Sequence, residues 1–82
     1  MITRIYAVKD TKTTFWKPWT HHNDQSATRE FASMVNAGNN VVADNPGDYE
    51  LWYLGDYDDY TGKISPACVF VVNGTAVKKV IE

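Results

Sequence analysis

The segment NDQSATREFASMVNAGNN (residues 23–40) carries the clearest helical period in the chain, and the runs before and after it read as strands. Ala27, Phe31, Met34, Val35 and Gly38 follow at spacings of four, three, one and three, which is one stripe of a helix with a period of 3.6. Asn23 or Asp24 offers an acceptor to the first-turn amides, Asp24 suits the positive end of the dipole, and Gly38 supplies a left-handed stop. A helix of about 14 residues is about 21 Å long. That length spans a small sheet but covers only one of its sides.

The flanking runs supply the strands. ITRIYAVKD predicts a first strand over residues 2–8, with two faces of mixed polarity. In the segment that follows, a second short strand around Phe15 is confined to an edge or loop, because Pro18 cannot donate to a ladder, so this segment is expected to be accessible. NNVVADNPGDY reads as an ordered turn anchored by Val41 and Val42. YELWYLGDYDD alternates Leu51 and Tyr53 against Trp52 and Leu54, a strand apolar on both faces and expected near the centre. DDYTG is a tight turn with Gly62 at positive φ, and KISPACVFVV is the next strand, with Pro66 breaking its start. Asn73-Gly74, between CVFVV and TAVKKVI, is a hairpin signal, so residues 65–82 are expected to form a C-terminal hairpin. The result is one domain over residues 1–82 of the α+β class. It is a small antiparallel sheet of three to five strands with one amphipathic helix on one face, in the order β-loop-α-β-β-β. The other face is left to water, nucleic acid or a second copy of the chain.

A chain of 82 residues buries only about 60–65% of the surface its unfolded form exposes, so its core is thin and a homodimer would supplement it. Cys68 stands alone in the apolar run PACVFVV, which predicts a buried small hydrophobe, no disulfide framework and a reducing compartment. MITRIYAVKD holds no apolar leader, and no run approaches the roughly 18 apolar residues of a membrane span, so a soluble cytoplasmic protein without membrane contact is expected.

The net charge of −2 conceals a segregation along the chain. Residues 1–22 carry Arg4, Lys9, Lys12 and Lys17 against Asp10, giving +3. Residues 23–61 carry Arg29 against eight carboxylates, giving −7. The tail from Gly62 returns to +2. Segregated charge creates local fields that the total does not reveal.

Most motifs resolve into turns. His21 and His22 are adjacent, so their side chains diverge, and no Cys or carboxylate stands at ligand spacing beside them; no metal site is expected. DYDDYTGK places Asp56 and Asp58 two apart as in a calcium loop, but the sixth place is Thr61 and the twelfth is Ala67. No phosphate loop, nucleophile elbow or Ser/His/Asp set appears, so neither a cofactor nor a catalytic residue is expected. The segment TKTTFWKPWTHHN is different, because it interleaves Phe15, Trp16 and Trp19 with Lys12, Lys17, His21 and His22. Aromatic rings stack on bases of any identity at about 1–3 kcal/mol per base, and ammonium groups neutralise phosphates, a combination that suits unpaired strands better than duplex. With Arg4 and Lys9 from the first strand, these residues form the candidate nucleic-acid surface. The bland reading is that Phe15 and one tryptophan lid the thin core.

The frame IYAVKD, the Pro-containing aromatic loop, the helix with Ala27, Arg29 and Phe31, and the stretch from Pro46 to Gly62 resemble the small nonstructural proteins of gokushoviruses, single-stranded DNA phages of the Microviridae. The resemblance covers residues 1 to about 64 and is most specific in NPGDYELWYLGDYDDYTG. It implies a DNA-binding accessory protein, similar to the C protein of microviruses, acting in the bacterial host cytoplasm in viral single-stranded DNA synthesis and genome packaging. Its implied partners are DNA and the replication complex or procapsid proteins. A competing expectation is a non-enzymatic interaction module whose acidic stretch from Asp44 to Asp59 binds a basic host replication or capsid protein. A small enzyme or toxin-like effector is the remaining alternative.

Overall fold

The computed structural model describes Met1–Lys79. Strands β1 (Ile2–Asp10), β2 (Trp19–His21), β3 (Tyr49–Asp58) and β4 (Ile64–Asn73) form one antiparallel sheet in the order β2-β1-β3-β4. Helix α1 (Asp24–Asn36) packs on one face, and short helices α2 (Val41–Asp44) and α3 (Gly74–Val77) close its far end. The fold class is the expected one, with four strands and with β1 and β3 at the centre. The short second strand is at the edge, as Pro18 demands, but at Trp19–His21; Phe15 makes only a single bridge to Lys9.

Helix α1 starts where its chemistry requires. Asn23 is extended, and its Oδ1 accepts from the Ser26 amide at 2.8 Å. Two residues in the left-handed region, Gly38 and Asn39, turn the chain away after the last turn. Asn40 then bridges both helices: its Nδ2 donates to Met34 O, and its Oδ1 accepts from the Ala43 amide that opens α2. Of the predicted stripe, Ala27, Phe31 and Val35 are fully buried, Met34 is half-buried and Gly38 is exposed beyond the helix end. Ala27, Phe31 and Val35, with Met34 against them, meet Tyr6, Val8, Val42, Tyr49 and Leu51 in one core cluster. Each large apolar side chain buried there contributes about 1.5–3 kcal/mol.

Strand period 2 then fixes every side chain's face. Tyr6 opposes Tyr53, Val8 opposes Leu51 and Asp10 opposes Tyr49, all toward α1, while Ala7 opposes Trp52 and Lys9 opposes Glu50 on the open face. Gly55 sits at a register shift with φ +150°, and an added Cβ would collide with the Ser65 carbonyl oxygen of β4. The β3–β4 turn closes through Asp58 N–H to Lys63 O at 2.9 Å, with Gly62 at the expected positive φ of 77°.

Three expectations need correction. Asn73-Gly74 does not turn a hairpin: Asn73 caps α3, its Oδ1 accepting from the Thr75 amide at 2.8 Å, and Gly74 has no positive φ. Gly74 is there for close approach, because its α-carbon faces the Pro46 backbone. Thr75–Val77 are therefore helical and not part of a last strand, and Val80–Glu82 of the same expectation lie outside the described residues. Cys68 is exposed, not buried, because among the described residues β4 is the last strand of the sheet and no layer covers Ile64–Phe70. Of the paired anchors Val41 and Val42, only Val42 is buried; Val41 is 54% exposed on the outer side of α2.

Candidate nucleic-acid interface

The structure divides the predicted aromatic-basic residues between the two faces of the sheet. Phe15 bridges to Lys9, so it lies on the open face. Trp16 follows, its amide donating to Val8 O at 2.8 Å, and its ring leans on Tyr49 on the helix side with centroids 5.2 Å apart. Trp19 opposes Tyr6 in β2, packs on the core, and buries an Nε1 that has no hydrogen-bond partner. The three rings do not form one outward strip. Trp19 is a lid of the core, and Trp16 remains 37% exposed.

Two of the predicted cations are also turned to the helix side. Arg4 lies 3.4 Å from Asp24 and stacks at 4.0 Å over the Tyr53 ring. Asp24 in turn accepts from the Tyr6 hydroxyl at 2.5 Å, and Tyr53 donates to Asp56 at 2.6 Å. Burial first, then the bond to Asp24, pushes the Tyr6 phenol well above its ordinary range; for Tyr53 the bond to Asp56 leads. His21 Nδ1 accepts from the His22 amide and meets Ser26 Oγ at 2.7 Å, which places the ring proton on Nε2, 3.1 Å from Glu30. This network ties the start of α1 to β1 and β2. Arg4 and His21 therefore already have partners within the chain.

The loop between β1 and β2 is exposed yet ordered. Thr11 donates to Asp48 O through both its amide and its hydroxyl, and Asp10 and Thr14 close the bend. Lys12, Lys17 and His22 project from exposed positions around it.

On the open face the rings line up. Phe15 meets Trp52 edge to face at 5.8 Å and 86°, and Trp52 meets Phe70 the same way at 6.0 Å and 82°. The Lys9 ammonium sits over both neighbours, 5.4 Å from the Phe15 centroid and 5.0 Å from that of Trp52. Trp52 donates its Nε1 to Glu50 at 3.0 Å, which fixes the indole, and Phe70 stays 48% exposed. This row crosses β1, β3 and β4 on the side that α1 leaves uncovered. Trp52 and Phe70 are absent from the predicted set, although alternation along a strand apolar on both faces already sends Trp52 away from the helix.

Among the described residues, no three His, Cys, Asp or Glu side chains gather in a set that could hold a metal ion, and no helix is long and apolar enough to cross a membrane. No curated protein and no solved structure matches the chain. A family model described as Phage ORF5 protein matches residues 3–77, nearly all of the sequence, and the chain therefore belongs to that family of phage proteins.

Proposed function

We propose that this phage protein is a non-enzymatic DNA-binding protein that prefers single strands and has little sequence specificity. In this reading it acts in viral single-stranded DNA synthesis and genome packaging in the bacterial host cytoplasm, beside replication-complex or procapsid proteins, as the likeness to gokushovirus nonstructural proteins and the microvirus C protein implies. The observation that carries it is the row Phe15–Trp52–Phe70 on the open sheet face, with the Lys9 ammonium among the rings. Unpaired bases stack on such a surface, and Lys9, Lys12 and Lys17 are placed to meet their phosphates. Arg4, Trp19 and His21 drop out of the contact set because the helix side occupies them.

The test is fluorescence anisotropy of a labelled oligothymidylate, and of a duplex of equal length, across a salt series. Loss of one stacked base costs about 1–3 kcal/mol, so Phe70→Ala should weaken binding about 5- to 150-fold at 1.4 kcal/mol per decade. Lys9→Gln should reduce the logarithmic salt slope by about 0.7. An oligonucleotide that fails to bind at low salt, or a Phe70→Ala protein that binds like the parent, ends the proposal.

A second reading has its own observation. Tyr60 is 90% exposed at the tip of the β3–β4 turn between Asp58, Asp59 and Thr61, a shape suited to a basic protein partner. Capture of a capsid or replication protein that resists nuclease and is lost in Tyr60→Ala, with silent DNA titrations, would favour it.

A further inference from the structure

Glu50 and Trp52 stand two apart on β3, so both point to the open face. Glu50 Oε1 accepts from the indole Nε1 at 3.0 Å, which holds the carboxylate at the edge of the ring. Its second oxygen is uncommitted. Among the described residues Oε2 accepts no hydrogen bond and meets no cation, and it is not sealed from solvent. Lys9 lies directly opposite Glu50 in the register, but its ammonium sits over the Phe15 and Trp52 rings and forms no ion pair with the carboxylate. A solvent-facing acceptor thus borders the stacking surface.

Charge decides which part of a bound strand meets that oxygen. Lys9, Lys12 and Lys17 stand on β1 and the loop beyond it, whereas β4, on the other side of β3, carries no charge from Ile64 to Asn73. Phosphates are drawn to the lysine side and repelled by the carboxylate. A base resting on Trp52 therefore turns its edge, not its backbone, toward Glu50. We infer that Glu50 Oε2 reads this base, favouring those with an exocyclic amino group over thymine. The inference rests on the single-strand reading above and adds to it a preference at one step of the row. An amino group such as that of cytosine donates to a carboxylate. Thymine instead sets a carbonyl oxygen on each side of its one ring N–H, so the carboxylate meets partial charge of its own sign. Stacking holds any base, and Glu50 biases the choice.

Anisotropy titrations with oligodeoxycytidylate and oligothymidylate of equal length test it, at a pH above neutrality where cytosine stays unprotonated. A single contact at the low end of base readout should make the cytosine strand bind about fivefold tighter. An oligonucleotide of 2-pyrimidinone, which is cytosine without its amino group, should lose that advantage on the unmodified protein. Glu50→Gln keeps a carbonyl acceptor for the indole and offers an amide N–H to thymine. It should erase the preference while the Trp52 indole N–H stays protected from exchange in NMR spectra. Where Glu50→Gln releases the indole, the 2-pyrimidinone comparison decides. Equal binding of the two pyrimidine strands, 2-pyrimidinone binding like cytosine, or a preference that survives Glu50→Gln with the indole held overturns the inference and leaves the single-strand reading standing. Failure of every oligonucleotide to bind ends both.

Discussion

Replacing Gly74 with alanine isolates the contact that turns the chain out of β4. An added Cβ would stand 3.0 Å from the Pro46 carbonyl carbon and 3.1 Å from its Cα, and would collide with the carbonyl oxygen. All three are backbone atoms, so no side chain can swing aside. The 3-10 turn Pro46–Asp48 is itself tied down, since Asn73 Nδ2 donates to Gly47 O at 3.1 Å and the Asp48 amide to Asn45 O at 2.9 Å. Because Gly74 has no positive φ, the cost is overpacking alone, about 1–3 kcal/mol. At about 4–8 °C per kcal/mol for a domain of this size, a mid-range cost of about 2 kcal/mol lowers the thermal midpoint by roughly 8–16 °C. Gly38→Ala is the control: it meets nothing within 4 Å but sits at φ +76°, so it carries only the left-handed penalty, about 1–2 kcal/mol. The assay is thermal unfolding followed by circular dichroism. A Gly74→Ala midpoint equal to that of the parent would refute the seating of α3 on the Pro46 turn.

Other consequences follow from single groups. Lys78 reaches the Val35 and Ala43 carbonyls at 3.4 and 3.5 Å, near the ends of α1 and α2, so Lys78→Met should cost about 0.3–1 kcal/mol in urea unfolding, less in high salt. Tyr6, Tyr49 and Tyr53 hold their phenol protons more tightly than the unfolded chain does. The stability this gives is complete below the unfolded value near about 10 and is lost as pH rises through the higher folded values. Absorbance at 295 nm should therefore show their ionisation tracking the loss of the dichroism signal; if all five tyrosines ionise near pH 10 with the fold intact, the shielding of these phenols is refuted.

Local chemistry made much of this fold readable. The Asn23 cap, the Ala27-Phe31-Val35 stripe, the Gly62 turn and the alternation of Tyr6 and Val8 each depend on neighbours within a few positions. Asn73-Gly74 was misleading because a type I′ turn and a helix cap use the same dipeptide; the choice is made by Pro46, far away in sequence. Cys68 and its apolar neighbours carry the composition of a buried strand, and only the strand order reveals that, among the described residues, β4 is the last in the sheet. The site divided for a similar reason. Spacing alone cannot tell which way Phe15, Trp16 and Trp19 turn, since that follows from the bridge to Lys9 and the pairing of Trp19 with Tyr6. Trp52 and Phe70 carry no basic neighbours in sequence, and Lys9 joins the row only through the sheet.

The aromatic row draws its members from parts of the chain that meet at different times during folding. Trp52 and Phe70 belong to a hairpin closed by a short turn, the kind of element that forms in about 1–10 μs. Phe15 and Lys9 arrive only when Ile2–Asp10 finds Tyr49–Asp58 across the intervening chain, a closure that is entropically expensive and slow. A refolding chain thus presents half of the surface early and gains its ammonium last, so part of the Trp52 emission change should accompany the hairpin and the remainder should follow in a later phase with Phe15 and Lys9.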